Sequence, residues 1–331
     1  MSRPLCILLL IVLLFALNLF FGAVSIPPAD IVTILFGGNT DNQAWQYIVL
    51  GSRLPAAVTA MLCGAALAVC GLLLQTAFRN PLAGPGLFGV SSGASLGVAL
   101  VMLLPAVHAS LGVFHSPMLV LLAAFVGAMA VLAVIVAFAA VVRSNIMLLI
   151  IGIMTGYLVS SAISLLNFFA TDQGVHSYII WGLGSFGGVT ASRLPLFALV
   201  CVLGLAASLA LVKPLNALLL GEQYARNLGV NIRAVRCWLL VVTGVLTAVT
   251  TAYCGPVAFI GLAVPHVARL LLVTDNHRRL LPATMLCGAA VGLLCNLLCV
   301  LPGSRGMLPL NAVTPLLGAP VIIYIIVRGN R

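Results

Sequence analysis

A chain of 331 residues in which 63% are hydrophobic and only 6% charged does not carry enough polar surface to enclose its apolar residues in water. This excludes a soluble globular enzyme, and the few charges lie between long apolar runs rather than inside them. The net charge of +10 is scattered over many short segments, which argues against a nucleic-acid partner.

The first apolar run is 5–24. It is too long for a signal-peptide core and no small-residue cleavage site follows it, so it reads as a span. Further runs fall near 54–78, 86–104, 117–142, 146–169, 194–212, 236–254, 256–271, 280–301 and 308–328. A bilayer crossing takes about 20 apolar residues. The run 256–271 is short by that measure, and 86–104 and 194–212 are marginal. The glycine-rich run 178–190 is too short to cross and reads as a re-entrant half-helix, tolerated only where protein or a water-filled cavity surrounds it. The expected fold class is all-α: a polytopic integral membrane protein of about ten transmembrane helices plus a re-entrant half-helix, forming one domain over 1–331.

Ten spans with an internal N-terminus place Arg3, Arg79, Arg143, Lys213, Arg226, Arg233, Arg236, Arg269, Arg278, Arg279, Arg328 and Arg331 on one side. Arg53, Arg193 and Arg305 fall on the other. The positive-inside rule then puts both termini in the cytoplasm of a multi-pass inner-membrane protein.

Several chemistries are disfavoured. The single lysine, Lys213, has no glycine-rich loop around it, so the chain holds no nucleotide-binding P-loop. All five acids sit in loops or at membrane edges, which argues against a proton-coupled carrier. Cys295 and Cys299 share a helix face, but no His or acid completes a ligand set, and packing explains them. Gly89-Val90-Ser91-Ser92-Gly93 matches a nucleophile elbow without the strand or the acid that the elbow needs. Met61-Leu62-Cys63-Gly64-Ala65-Ala66 recurs as 285–290 in a span of opposite direction, which reads as shared packing composition. No cofactor or metal is called for.

Three loops carry the functional reading. The first runs from Arg53-Leu54-Pro55 through Gly64, Ala68, Gly71 and Gln75 to Arg79-Asn80-Pro81-Leu82-Ala83-Gly84-Pro85. Its small residues clear a packing face, and its Asn-Pro and Gly-Pro steps turn the chain sharply back. Gln75 either lines a polar path or bonds to a neighbouring helix. The second is the polar stretch 213–236, where Gly221 and Gly229 bracket a helix of about two turns. Ala225 and Leu228 are spaced to share a face there. So short a helix is unstable alone and needs a partner surface. Glu222 disfavours the negatively charged leaflet as that surface. The third is Gly255-Pro256 through Gly261 to Pro265-His266, a span broken by two prolines and two glycines, as in the moving or substrate-facing parts of transporters.

Together these residues resemble the FecCD family of permeases, the membrane subunits of ATP-driven importers for cobalamin, iron–siderophore complexes and haem. The resemblance covers about Arg53 to Pro320. It rests on Arg79-Asn80-Pro81-Leu82-Ala83, Leu220-Gly221-Glu222 with Leu228-Gly229-Val230, Phe259-Ile260-Gly261-Leu262 with Pro265-His266, and Val313-Thr314 with Leu317-Gly318-Ala319-Pro320. It implies a type II ABC importer permease, working as a homodimer in membrane lipid with its pathway between the copies. Cytoplasmic ABC ATPase subunits would grip the coupling loop 213–236 at Gly221, Glu222, Ala225, Arg226, Leu228 and Gly229. A periplasmic substrate-binding protein would dock at Arg53, with Arg305 or Arg193 standing in for family arginines that are Ala56 and a residue near Val300 here. Ser144 and Asn145 would gate the cytoplasmic mouth, and Gln75, Asn80, Pro265 and His266 would belong to the gate or pathway. The chain departs from the family pattern at Asn296, usually an aspartate, and at Met307-Leu308-Pro309-Leu310-Asn311, usually Glu-x-Pro-x-Gly. The competing reading is a stand-alone secondary carrier for a small solute, with an intramembrane serine hydrolase a weaker third.

Overall fold

The computed structural model describes residues 3–38, 40, 42–104, 117–142, 144–301, 303 and 306–329. Every regular element among the described residues is helical. In chain order these are α1 (Arg3–Phe20), α2 (Pro28–Leu35), α3 (Gln43–Phe78), α4 (Val90–Leu103), α5 (Pro117–Val141), α6 (Asn145–Phe169) and α7 (Asp172–Gly182). There follow α8 (Leu194–Leu209), α9 (Val212–Leu219), α10 (Glu222–Asn227), α11 (Ile232–Cys254), α12 (Ile260–Leu272), α13 (His277–Val300) and α14 (Leu310–Gly329). Before Leu54, α3 is wound as a π-helix over Tyr47–Arg53.

Among the described residues six of these, α1, α3, α5, α6, α11 and α13, are long and apolar enough to cross a bilayer, and α8 with α9, bent by 48° at their break, makes a seventh if the pair crosses as one span. Three shorter apolar helices, α4, α12 and the first part of α14 (Leu310–Tyr324), occupy the remaining expected positions. The helices in the runs 86–104 and 256–271 are short, in keeping with the marginal and short lengths of those runs. At a rise of about 1.5 Å per residue, the 14 residues of α4 and 13 of α12 fall short of a core about 30 Å thick. Their N-termini start late because the loops before them dip into the bundle. Gly89 (φ 70°) and Gly255 (φ 76°) turn those loops in a region where a side chain is strained. The predicted half-helix at 178–190 is instead α7, capped by the Thr171 hydroxyl and followed by a 3₁₀ turn at Phe186–Gly188.

α3 is the axis of the bundle. Small residues let other backbones come against it: Gly64 meets Gly288 and Gly292 of α13, and Gly71 meets the Gly261 carbonyl of α12. The two copies of Met-Leu-Cys-Gly-Ala-Ala therefore pack against one another. Ala60 lies against Gly292 and Ala68 against Gly288, an antiparallel crossing. α4 and α5 use the same device at Gly93 and Gly127. Inside the bundle, Asn296 Nδ2 donates to Asn18 Oδ1 at 2.8 Å, and Asn18 Nδ2 donates to the Leu293 carbonyl at 3.0 Å, which ties α1 to α13.

A Cβ at Gly71 would overlap the Gly261 carbonyl, whereas none of the surrounding atoms lies within 4 Å of one at Gly182. Gly71→Ala should cost about 1–3 kcal/mol through overpacking. Gly182→Ala should stay within about 0.5 kcal/mol. Denaturation midpoints of the two variants in detergent check the difference.

Candidate functional site

The segment 213–236 is bound to the ends of several spans at one end of the bundle. Gly221 (φ 118°) and Gly229 (φ 80°) bracket α10 in conformations that side chains rarely adopt, so its length is set by its two glycines. Asn145, at the start of α6, donates from Nδ2 to Glu222 Oε1 at 2.8 Å and to the Ala77 carbonyl of α3 at 3.3 Å. Arg236 lies 3.9 Å from the same carboxylate oxygen and donates to the Val142 carbonyl at 3.1 Å. One short helix is thus linked to α3, α11 and the corner between α5 and α6. Ser144 at that corner caps α6, accepting from Met147 N–H.

The C-terminal turn of α3 carries three further links. Arg79, at φ 48°, donates to the Leu218 carbonyl at 2.9 Å. Thr76 Oγ1 meets His277 Nε2 at 2.9 Å, and His277 N–H donates to Asn216 Oδ1 at 2.9 Å. Gln75 is 4% exposed, and its amide donates to the Leu262 carbonyl at 3.1 Å and accepts from Arg269 Nη1 at 2.7 Å. Gln75 thus bonds to a neighbouring helix, α12, one of the two roles open to it. Asn80 Oδ1 accepts from Leu82 N–H at 2.9 Å, closing the turn after α3, and His266 Nε2 lies 2.9 Å from the Pro81 carbonyl. Pro265 is buried inside α12. His266 is therefore engaged with the 80–83 turn.

The outer face of α10 corrects the expected pairing of Ala225 with Leu228. Ala225 is fully buried, whereas Leu228 is exposed together with Tyr224 and Leu220, at 59%, 52% and 66%. Tyr224 and Leu228 are four residues apart at α10, and Leu220 is exposed just before the Gly221 turn, so exposed apolar side chains flank the short helix. Ala225 was legible as apolar, but its direction was not. Leu220 and Tyr224 were missed although their spacing was visible.

At the opposite end, Arg53 is 7% exposed. Its Nη1 donates to the Leu19 carbonyl at 2.7 Å and the Phe20 carbonyl at 3.0 Å, and its Nη2 to the Val24 carbonyl. The guanidinium of Arg53 thus satisfies the Leu19 and Phe20 carbonyls that end α1 and the Val24 carbonyl of the turn after it. Arg193 is half-exposed at the start of α8. Arg305 lies outside the described residues. Asn311 at this end donates to the Gly182 carbonyl at 2.8 Å and accepts from Ala258 N–H at 3.3 Å, joining α7, the 255–259 loop and α14.

The two dipping loops meet at a cavity of about 360 Å³, lined by Leu67, Pro85, Ser91, Thr251, Phe259 and Asn311 among others. Phe259 holds φ 66° there, strain of the kind that collects at working sites.

Broken spans meeting inside an apolar bundle, with a short helix fastened across the span ends, define a polytopic membrane permease. The chain belongs to the FecCD transport family, which matches residues 9–328. It is 35% identical over 332 residues to the hemin transport system permease protein HmuU of Yersinia pestis, covering 99% of this chain and 95% of that one. Identity to the vitamin B12 import system permease protein BtuC of Escherichia coli O157:H7 is also 35%, over 335 residues and the same shares of each chain. A solved inward-facing metal-chelate type ABC transporter superposes with a TM-score of 0.84 at 30% identity, covering 98% of both chains. The chain is accordingly a transport subunit and not an enzyme, with ATP hydrolysis left to a separate subunit.

Arg53→Ala should strand three carbonyls and lower stability by about 1–3 kcal/mol. A thermal-shift assay on the detergent-purified permease reads that loss directly. A variant of unchanged stability that lost only affinity for a binding protein would mark Arg53 as a docking residue instead.

Proposed function

We propose that this chain is the membrane permease of an ATP-driven importer for a bulky metal chelate, with haem and cobalamin the first candidates. The relatives named for hemin and for vitamin B12 are equally similar to it, which supports both and separates neither. In this reading, two copies form the pathway between them in the inner membrane, with both termini cytoplasmic. A periplasmic binding protein delivers the chelate to the end that carries Asn311.

The observation that carries the proposal is α10. Tyr224 and Leu228 at this helix and Leu220 just before it are exposed to solvent, while Glu222 fastens it to Asn145 and Arg236. Exposed apolar side chains on a polar cytoplasmic loop suit a cleft in the ATPase subunit. When the ATPase subunits close, the docked helix moves with them, and Glu222 passes that movement to the α5–α6 corner. The pathway opens or closes because packed helix ends hold discrete arrangements. The resulting device needs no nucleotide site in this chain.

The test is uptake by proteoliposomes. Permease alone should not accumulate chelate; permease with its ATPase and binding protein should, in proportion to ATP hydrolysed. Uptake by the permease unaided would establish a secondary carrier instead. Tyr224→Ala should weaken ATPase co-purification by about tenfold or more, as removal of an aromatic anchor does. Glu222→Ala should leave the complex assembled but lower uptake per ATP by about tenfold, within the usual range of a coupling energy.

A further inference from the structure

A second cavity, of about 380 Å³, lies beside α10, with Arg226, Arg233 and Arg236 in its wall together with Val142 and Ile232. Its wall thus carries three guanidinium groups. Of these, Arg236 lies 3.9 Å from Glu222, a carboxylate that also accepts from Asn145 on the inner side of α10. The first turn of α11 contains no acid, although a helix N-terminus carries partial positive charge of its own. Its cap is already filled by the Asn231 side chain, which accepts from Ala234 N–H at 3.1 Å. Arg236 is 8% exposed, while Arg226 and Arg233 are open to solvent.

The cavity also lies at a definite depth. Val142 follows the last residue of α5, and Ile232 is the first residue of α11, so the wall marks where two spans leave the apolar layer. Trp238 is 47% exposed five residues after Arg233, about 7.5 Å further along α11. Indole rings favour the headgroup boundary. Val141, beside the cavity in sequence, is 78% exposed. An anionic group held here would have apolar surface next to it on the membrane side.

We infer that this cavity is a binding site for the phosphate headgroup of an anionic phospholipid in the leaflet that faces α10. Guanidinium forks match phosphate oxygens in pairs, and basic pockets at span ends are where such headgroups are held. The lipid is favoured over an acidic protein surface because the arginines sit at headgroup depth, beside exposed apolar side chains. The site occupies the flank of α10, leaving Leu220, Tyr224 and Leu228 free for the ATPase.

The test uses the full-length permease, purified in detergent with equal amounts of phosphatidylglycerol and phosphatidylcholine of matched chains, and counts retained lipid by native mass spectrometry. Wild type should retain phosphatidylglycerol in preference. The double variant Arg226→Gln/Arg233→Gln should lower that preference by about tenfold, as loss of two surface arginines predicts. Arg233→Lys should keep most of it. Should the double variant not remain monodisperse, Arg233→Gln alone makes the same comparison, since that side chain is exposed. Equal retention of the two lipids by wild type, or an unchanged preference in the variants, overturns the site. Displacement of the lipid by excess inorganic phosphate would mean that a free anion is the ligand and overturns the lipid assignment. So would a variant that loses ATPase affinity with its lipid preference intact. Because the readout needs neither ATP nor chelate, failure here is distinguishable from failure of the importer reading.

Discussion

Everything in this fold depends on how closely other backbones come to α3. Inside a bilayer no water is available to satisfy a free carbonyl or N–H, so irregular chain survives only where protein encloses it. The glycines at 64 and 71 allow that enclosure, because α13 and the start of α12 rest on α3 with no side chain between them. With α12 seated at Gly71, the 255–259 loop is carried into the bundle. The 79–89 loop reaches the same level from the other end, where Pro85 touches Gly261. The two broken spans and the cavity between them are consequences of that contact.

The same helix organises the far end of the site. Gln75, Thr76, Ala77 and Arg79 lie within a little more than one turn and bond to α12, α13, α6 and α9 respectively, through side chains or main chain. A helix that is packed rigidly at its middle and tied to four neighbours at its end transmits displacement poorly along itself. It serves better as the fixed member against which α10 and the α5–α6 corner shift. Asn145, at the α5–α6 corner, bonds both to Glu222 and to the Ala77 carbonyl of α3, so it joins α10 to that fixed helix.

Much of this was legible in the sequence. Apolar run length marked the spans, because the bilayer imposes one thickness on all of them. The Asn-Pro, Gly-Pro and Gly-Pro-x-x-x-x-Gly steps marked the breaks, and Gly221 and Gly229 marked α10, because φ preferences act locally. What could not be read were pairings across hundreds of residues. Nothing near Gln75 points to Arg269, and nothing near Arg53 points to the end of α1. The three carbonyls that Arg53 meets belong to residues 29 to 34 positions earlier in the chain. The repeated Met-Leu-Cys-Gly-Ala-Ala was visible as composition, but that each copy is the other's partner is a fact of three dimensions. The spacing of Tyr224 and Leu228 was visible, but in a helix of six residues it does not say which side faces out.

The amide pair Asn18–Asn296 has a consequence for energetics. Both partners are neutral, and neither gains or loses a proton in the range that cells inhabit. The attachment of α1 to α13 therefore carries no net charge for a voltage to pull on and no titration for an acid compartment to exploit. A carboxylate at 296 would couple this seam to both. With asparagine there, the seam behaves as passive joinery, equally firm in an energised and a depolarised membrane.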